Sequence, residues 1–324
     1  MPHPKSSRPT QVIKGAILVV VLVLLVYYLV SHGAEFNAIA KIELKYILPV
    51  ILLSGFNLLL SCIRFHMMLT HLSHRVPFST VLKYFTHGRF INRFLPLGGS
   101  VYRAIMFKKT DGISYKKYVA INLSFDWLNV LYSALLGVFV LTLYDPRLSI
   151  RSIPLLPFFG AVLLLLISAF PAALRVLAFI KRFLTSASVR KRMDEAAEII
   201  EGVRSVLKNR TIFLGNSVII TLIIVSTLIG YHLLFKSISV ETDVVVLLVY
   251  LIILRFFRVI RITPANLGVR EFMLGFLTYS LGTGAAEGIL VSLLMRLVSL
   301  LVQGGLSIGI FAAEHVKRCQ RNLR

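Results

Sequence analysis

Residues 15–30 read GAILVVVLVLLVYYLV, an uninterrupted run without a charged side chain. A transmembrane helix needs about 20 predominantly apolar residues, whereas a helix in a soluble core rarely needs so long an apolar run. The run begins after Lys5, Arg8 and Lys14, as a signal peptide would, but no small-residue cleavage site follows it. We therefore interpret it as a retained first membrane span.

The composition places the whole chain in the same class. Of its 324 residues, 57% are hydrophobic and 15% are charged, whereas about a quarter of the residues are charged in a typical soluble domain. Lys and Arg number 36 against 14 Asp and Glu, which gives a formal net charge of +22. Most of these bases flank apolar runs, and the sequence carries no nucleic-acid-binding motif. The charge therefore indicates a membrane surface as its partner, and we predict an all-α polytopic membrane protein.

Seven apolar stretches approach or reach the length of a bilayer crossing. They lie at 13–31, 46–63, 117–143, 153–179, 211–235, 244–262 and 284–313. Two further stretches, 84–107 and 263–282, are apolar on average but are interrupted by Pro, Gly and charge. We call them the broken segments, and hydropathy leaves open whether they cross the membrane or fold back as re-entrant hairpins. We predict seven to eight transmembrane helices plus the two broken segments, all in one domain over 1–316.

Basic residues predict the orientation, because the cytoplasmic loops of membrane proteins are enriched in Lys and Arg. The N-terminus, the 64–116 region and the 181–210 loop are rich in bases, whereas the 32–45, 144–152 and 236–243 loops are poorer and mixed. We therefore expect both termini in the cytoplasm, with a basic tail over 317–324. The pattern over 188–209 predicts an amphipathic helix at the cytoplasmic interface, and a solvated connector fits the same pattern.

The two broken segments read as copies of an internal repeat. At an offset of 168 residues, RFLPLGGSVYRA from Arg93 lies over RITPANLGVREF from Arg261. In this alignment Arg103 falls on Glu271, and each copy leads into a long apolar helix. The copies extend over 84–143 and 252–313. Paired broken helices are a recurrent feature of membrane transporters, where they form the substrate site.

Isolated charges in and after the broken segments are the first candidates for function. A charge at bilayer depth costs about 2.5–3.5 kcal/mol on insertion scales, so it is usually paired or faces water. Asp126 and Glu271 are the acids that we expect at that depth. Arg103 is a natural partner for one of them, and Arg296 or Arg270 for the other. These residues either contact a substrate or form ion pairs that only hold helices together.

Arginine is concentrated where the chain enters each broken segment. Arg255, Arg258 and Arg261 are spaced by three residues, so they share one face of a helix. Arg89 and Arg93 are spaced by four and share a face in the same way. A guanidinium fork binds phosphate oxygens in pairs, and backbone N–H groups at a helix start also attract anions. The pattern predicts an anionic headgroup site at each broken segment, with snorkelling side chains that anchor the chain as the alternative.

The substrate-binding candidates are the charged residues of both copies. They are Arg89, Arg93, Arg103, Asp126, Arg255, Arg258, Arg261, Arg270, Glu271 and Arg296. No catalytic residue, metal or cofactor is predicted. Cys62 and Cys319 are far apart, and the histidines near the 64–116 region have no acidic or cysteine neighbours that could complete a metal site.

These residues resemble a known family. RFLPLGGSVYRA (93–104), Asp126, PANLGVRE (264–271) and Arg296 are similar to the lysylphosphatidylglycerol synthase transmembrane-region family, a flippase-like domain found alone or fused. The resemblance covers nearly the whole chain. It implies a multi-pass protein of the cytoplasmic membrane of a prokaryote that handles aminoacylated phosphatidylglycerol, polyprenyl-linked glycans or hopanoids. Fused members carry a soluble aminoacyl-transferase domain, which we expect this chain to lack, so it should not make lysyl-lipid itself.

Three functions are consistent with this reading. The first is a lipid flippase or transporter that binds an anionic phospholipid or polyprenyl-linked headgroup between the broken segments. The second is an accessory subunit that binds a partner synthase or glycosyltransferase. The third is a membrane-embedded, lipid-linked transferase, which the sequence disfavours because it has few acids and no Asp-x-Asp motif. We expect a transporter rather than an enzyme.

Overall fold

The computed structural model describes nine stretches of the chain. They are 42–72, 76–95, 97–144, 149–150, 153–166, 168, 187–257, 268–280 and 284–322. Ten helices lie in these stretches: α1 Leu44–Leu72, α2 Phe78–Ile91, α3 Gly98–Asp111, α4 Tyr115–Tyr144, α5 Leu155–Leu166, α6 Ala187–Lys208, α7 Arg210–Ser237, α8 Val244–Phe257, α9 Val269–Ser280 and α10 Ala285–Asn322. A two-residue antiparallel pairing joins β1 (Ser149–Ile150) to β2 (Ile153–Pro154). The predicted first span at 13–31 lies outside the described residues.

Four of the described helices are long and apolar enough to cross a membrane. They are Leu44–Leu72, Tyr115–Tyr144, Arg210–Ser237 and Ala285–Ala313. Each has 28 to 30 residues, which at 1.5 Å per residue exceeds the hydrocarbon core of about 30 Å. Their outer faces are apolar: exposed side chains at steps of four residues on α1 include Leu44, Leu48, Leu52 and Phe56. The helical membrane class is confirmed, and the count of seven to eight crossings stays a prediction.

The first broken segment folds as a helical hairpin, formed by α2 and α3. Its two helices meet without side chains between them, since a Cβ on Gly99 would lie 1.7 Å from the carbonyl oxygen of Gly88. The Gly99 N–H donates to Asn92 Oδ1 at 2.7 Å, and Leu97 turns the chain with a φ of 64°. Each helix has 14 residues, which is about 21 Å and too short to cross the bilayer alone.

The second broken segment contains α9, which packs closely along α10. Gly268, with a φ of 83°, precedes α9, while Pro264 and its neighbours lie outside the described residues. A Cβ on Gly288 of α10 would lie 2.2 Å from Thr278 Oγ1 and 2.8 Å from the Leu274 carbonyl oxygen. This glycine therefore permits the close approach of the two helices. The first copy packs differently, because there the short helix α3 lies mainly against α2.

The helix boundaries shift the register of the internal repeat. The short helices α3 and α9 begin at residues 98 and 269, which are 171 residues apart, whereas the offset in the sequence alignment is 168. In helix register, Glu271 corresponds to Ser100, and both are the third residue of their helix. The predicted equivalence of Glu271 with Arg103 does not hold in this register. The repeat itself stays a prediction.

The helix predicted over 188–209 is α6, and it is docked on the membrane helices. Lys116 Nζ at the start of α4 lies 2.8 Å from Glu198 Oε2. His71 Nε2 of α1 lies 3.1 Å from Ser205 Oγ. Val206 of α6 is fully buried. These contacts favour the packed amphipathic helix over the solvated connector.

The contact between Gly88 and Gly99 gives the first testable prediction. Gly99→Ala should destabilise the protein by about 1–3 kcal/mol, the usual cost of overpacking, because the added methyl group meets backbone and not a flexible side chain. The measurement is the midpoint of thermal unfolding in detergent micelles. Gly305→Ala is the matched control, since that helical glycine faces open space and alanine favours the helix. Equal midpoints for the two variants would contradict the tight crossing.

Candidate functional site

A cavity of about 360 Å³ lies where the two broken segments meet the long helices. The first broken segment lines it with Arg89, Asn92, Arg93, Leu97 and Arg103. Helix α8 contributes Arg255, and α9 contributes Val269, Arg270 and Met273. The sequence predicted an anionic headgroup site at each broken segment. In the structure, the arginines of both segments line one cavity.

The charges of the cavity wall are strongly unbalanced. Five arginines line it, whereas Asp126 of α4 is its single acidic lining residue among those the structure describes. Arg258 and Arg261, the other two arginines predicted for this site, lie outside the described residues. Charges at the wall of a low-dielectric cleft interact more strongly with a ligand than they would in water. The cavity is therefore electrostatically suited to an anion.

Arg103 is held over aromatic rings. Its side chain is buried, and its guanidinium carbon lies 4.9 Å from the centre of the Phe85 ring and 5.5 Å from that of Phe65. Nη2 lies 3.4 Å from Ser100 Oγ, while the buried Nε has no hydrogen-bond partner among the described residues. Arg89 lies 4.9 Å from the same Phe85 ring. The rings stabilise both cations without neutralising them.

Arg270 has a similar environment on the other side of the cavity. Its Nη2 donates to the hydroxyl of Tyr231, and its guanidinium carbon lies 5.7 Å from the centre of the Tyr231 ring. Tyr231 in turn packs edge-on against Tyr250, with ring centres 5.4 Å apart. The Nε of Arg270 is buried and lacks a hydrogen-bond partner in the part of the chain that the structure describes. Two arginines of the wall thus keep a buried N–H donor that no described residue satisfies.

Arg93 and Arg255 complete the cationic lining. Arg93 Nε donates to Gln303 Oε1 of α10 at 3.0 Å, which ties the first broken segment to the last helix. Arg255 is 7% exposed and comes from α8, on the approach to the second broken segment. The arginines of the wall therefore come from four short helices and the turn between two of them.

Glu271 and Arg296 form an ion pair and do not line the cavity. Glu271 is fully buried, and its Oε1 accepts from Arg296 Nη2 at 2.7 Å and from Nε at 2.8 Å. Its Oε2 accepts from the Gly268 N–H at 2.7 Å, at the start of α9. A carboxylate at this end of a helix is also stabilised by the helix dipole. Of the partners expected for Glu271, Arg296 is the one that bonds to its carboxylate, and the pair joins α9 to α10.

Arg64 was not among the site residues predicted from the sequence. We predicted that the span over 46–63 ends before Arg64, but α1 continues to Leu72, and Arg64 is 1% exposed. Its three guanidinium nitrogens donate to Asn216 Oδ1 at 2.8 Å, Asn129 Oδ1 at 2.6 Å and the Phe125 carbonyl oxygen at 2.9 Å. These bonds allow the charge to be buried, and they fix the turn of α4 that carries Asp126. The sequence signal that could have predicted this cluster was the presence of Asn129 and Asn216 within apolar helices.

A second wall of the cavity is polar but uncharged. We call it the neutral wall, and it consists of Ser54, Asn57 and Ser61 of α1 with Ser226 and Thr227 of α7. Asn57 Nδ2 donates to Thr227 Oγ1 at 3.3 Å, and Ser226 Oγ lies 2.5 Å from Asn57 Oδ1. These contacts join α1 to α7 at the level of the cavity. None of the neutral-wall residues was among the sequence candidates.

The ion pair of Glu271 and Arg296 gives the second testable prediction. Glu271→Gln and Arg296→Met should each lower the stability markedly, by about 3–5 kcal/mol, because each leaves the other group buried without its partner. The double variant should lose much less than the sum of the single losses, since it buries neither charge. Thermal unfolding of the four proteins in detergent measures this coupling. Additive losses would show that the pair does not act as a structural lock.

The chain matches a known protein family over most of its length. A family model described as the lysylphosphatidylglycerol synthase TM region matches residues 11–307, a range that includes every residue named above as lining the cavity. Comparison with curated proteins and comparison with solved structures each found no match. The family model covers most of the chain, and the long apolar helices agree with it. The chain belongs to the lysylphosphatidylglycerol synthase transmembrane-region family and is a multi-pass membrane protein.

Proposed function

We propose that the protein is a lipid transporter that binds the anionic headgroup of a membrane lipid in the cavity and moves that lipid across the bilayer. The observation that carries the proposal is the state of Arg103 and Arg270. Both line the cavity, and each has a buried Nε without a hydrogen-bond partner among the described residues. Buried polar groups are normally satisfied, so such donors favour a ligand that supplies acceptors. Phosphate oxygens are the acceptors that guanidinium groups bind best.

The starts of two short helices add to the attraction for an anion. Leu97, which precedes α3, and Val269, the first residue of α9, both line the cavity. The N-terminal end of a helix carries a partial positive charge and unpaired backbone N–H groups. At α9 the Glu271 carboxylate takes up one of these N–H groups and is itself paired with Arg296. At α3 the Gly99 N–H is likewise taken up, by Asn92 Oδ1, so both helix starts attract an anion through the helix dipole rather than through free N–H groups.

The exposed side chains at the hairpin tip suit the acyl chains of a lipid. Phe94, Leu95 and Leu97 are 58%, 60% and 46% exposed, and Leu97 also lines the cavity. A lipid whose headgroup occupies the cavity would leave its chains along this apolar edge, within the bilayer. The volume of about 360 Å³ lies within the range of small-molecule sites and matches a headgroup rather than a whole lipid.

The finer topology belongs to the same proposal. The hairpin of α2 and α3 is re-entrant, because neither helix is long enough to cross and the two pack side by side. The second broken segment, which contains α9, is its counterpart in the second copy. Both termini face the cytoplasm, in accordance with the distribution of Lys and Arg. The headgroup would then be taken up at one side of the cytoplasmic membrane and released at the other.

A charge-removal experiment tests the proposal. Arg103→Gln should slow the transbilayer movement of fluorescent phosphatidylglycerol in proteoliposomes about tenfold or more, since a lost charge-assisted hydrogen bond corresponds to roughly 1.5–3 kcal/mol. Arg204→Gln is the matched control, because that arginine lies on the exposed part of α6. Movement by the wild-type protein should also exceed that in protein-free vesicles. Equal rates for wild type and Arg103→Gln, or no movement by either, would overturn the proposal.

A further inference from the structure

We infer that Asp126 controls the release of the bound headgroup from the cavity. Its carboxylate is an internal anion, which competes with the phosphate of the lipid for the arginines of the wall. The inference rests on the proposed function and deepens it, because it assigns to one side chain the step in which the cavity gives up its ligand.

A wall with arginine as its only charged residue would bind an anion well and release it poorly. Five arginines line the cavity, and two of them, Arg103 and Arg270, have a buried Nε that no described residue satisfies. The low dielectric of the surroundings strengthens the attraction of each guanidinium group for a phosphate. A ligand that is to be moved, however, has to be bound weakly enough to leave. Transport through this cavity therefore requires a group that lowers the affinity for the anion.

Asp126 is the acid that can meet this requirement. It is the single acidic residue of the lining in the part of the chain that the structure describes, and its side chain is partly accessible. Glu271 is fully buried, accepts both of its short contacts from Arg296 with one oxygen, and does not line the cavity. A ligand in the cavity thus meets the charge of Asp126, whereas the charge of Glu271 is taken up within the protein.

The packing of α4 brings the turn that carries Asp126 towards the arginines of the hairpin. Phe125 and Asp126 both line the cavity, and the centre of the Phe125 ring lies 6.5 Å from that of Phe85. The guanidinium carbons of Arg89 and Arg103 each lie 4.9 Å from the centre of the same Phe85 ring. The carboxylate is therefore close to the two cations of the hairpin that a phosphate would bind, and it attracts them in competition with that phosphate.

Hydrogen bonds from Arg64 fix the position of this turn. Arg64 Nη2 donates to the Phe125 carbonyl oxygen at 2.9 Å, and Nη1 donates to Asn129 Oδ1 at 2.6 Å. The two acceptors lie before and after Asp126 on α4, so the backbone of Asp126 is held from both sides. A fixed backbone keeps the carboxylate at the wall when a phosphate arrives, and the repulsion between the two anions then acts on the ligand.

Competition of this kind has opposite effects on affinity and on turnover. The carboxylate raises the dissociation constant of the lipid, and it does so mainly through faster dissociation, because most differences in affinity arise from the dissociation rate. Loss of the carboxylate should therefore tighten binding and slow transport. A residue that only holds helices together, or one that binds a cationic part of a headgroup, gives a different result, since its loss does not tighten the binding of an anionic lipid.

Asp126→Asn removes the charge and nearly preserves the shape of the side chain. The dissociation constant of tritiated dihexanoyl phosphatidylglycerol is measured on the purified protein in detergent by a scintillation proximity assay. The maximal rate of movement of fluorescent phosphatidylglycerol is measured in proteoliposomes. We expect the dissociation constant to fall about tenfold, as the removal of one repelling charge near a bound anion predicts, and the maximal rate to fall by roughly the same factor.

Three further variants separate the charge from other effects. Asp126→Glu keeps the charge and should return both values towards those of the wild type. Asp126→Ser also removes the charge, so it should behave as Asp126→Asn does and replaces that variant if it does not fold. Glu201→Gln is the matched control, because it removes an acid from the exposed part of α6, where Glu201 faces Arg204, and both values should stay unchanged.

The outcomes distinguish the inference from the function on which it rests. Weaker or unchanged binding of phosphatidylglycerol by Asp126→Asn and Asp126→Ser, or an undiminished maximal rate in both, would overturn the role of Asp126 in release. In each of those cases, movement that still depends on Arg103 would leave the proposed function standing. Movement that is independent of Arg103, or its absence in the wild type, would instead overturn the proposed function.

Discussion

A guanidinium group inside a membrane protein has to be compensated by the protein itself, and this requirement organises the structure. Arg64 is compensated by two amides, a carbonyl oxygen and the Phe125 ring, 4.0 Å from its guanidinium carbon. Arg296 is compensated by the Glu271 carboxylate. The cavity residues Arg103 and Arg270 rest on rings and keep unsatisfied donors within the described structure. The arginines whose charge is fully compensated therefore hold helices together, whereas the partly compensated arginines line the cavity.

The long helices could be predicted closely because the length of an apolar run reports directly on a membrane span. The predicted spans at 117–143 and 211–235 differ from α4 and α7 by only one or two residues at each end. The predicted end of α1 was wrong by nine residues. Hydropathy places the end of a span at a charged residue such as Arg64, and it contains no information on the asparagines of other helices that accept hydrogen bonds from this arginine. Prolines and glycines also located the broken segments. The hairpin geometry depends on a backbone contact between two helices, which local sequence does not encode.

The site was predictable in its charges but not in its assembly. An isolated carboxylate in an apolar stretch already pointed to a partner, and Glu271 does pair with Arg296. Aligning the two prolines placed Glu271 over Arg103, whereas the helix starts place it over Ser100. The neutral wall was missed because serine, threonine and asparagine in an apolar helix satisfy themselves locally and give a weak signal. Their importance arises only when two such faces meet at a cavity.

The contact of Gly88 with Gly99 has a mechanical consequence. With backbone against backbone and the Gly99 N–H bound to Asn92, the two helices of the hairpin cannot slide past each other without breaking that contact. Any displacement of the hairpin then occurs as a rigid body. Arg89, Arg93 and Arg103 would therefore move together, as one cluster of three positive charges, relative to the uncharged wall formed by α1 and α7.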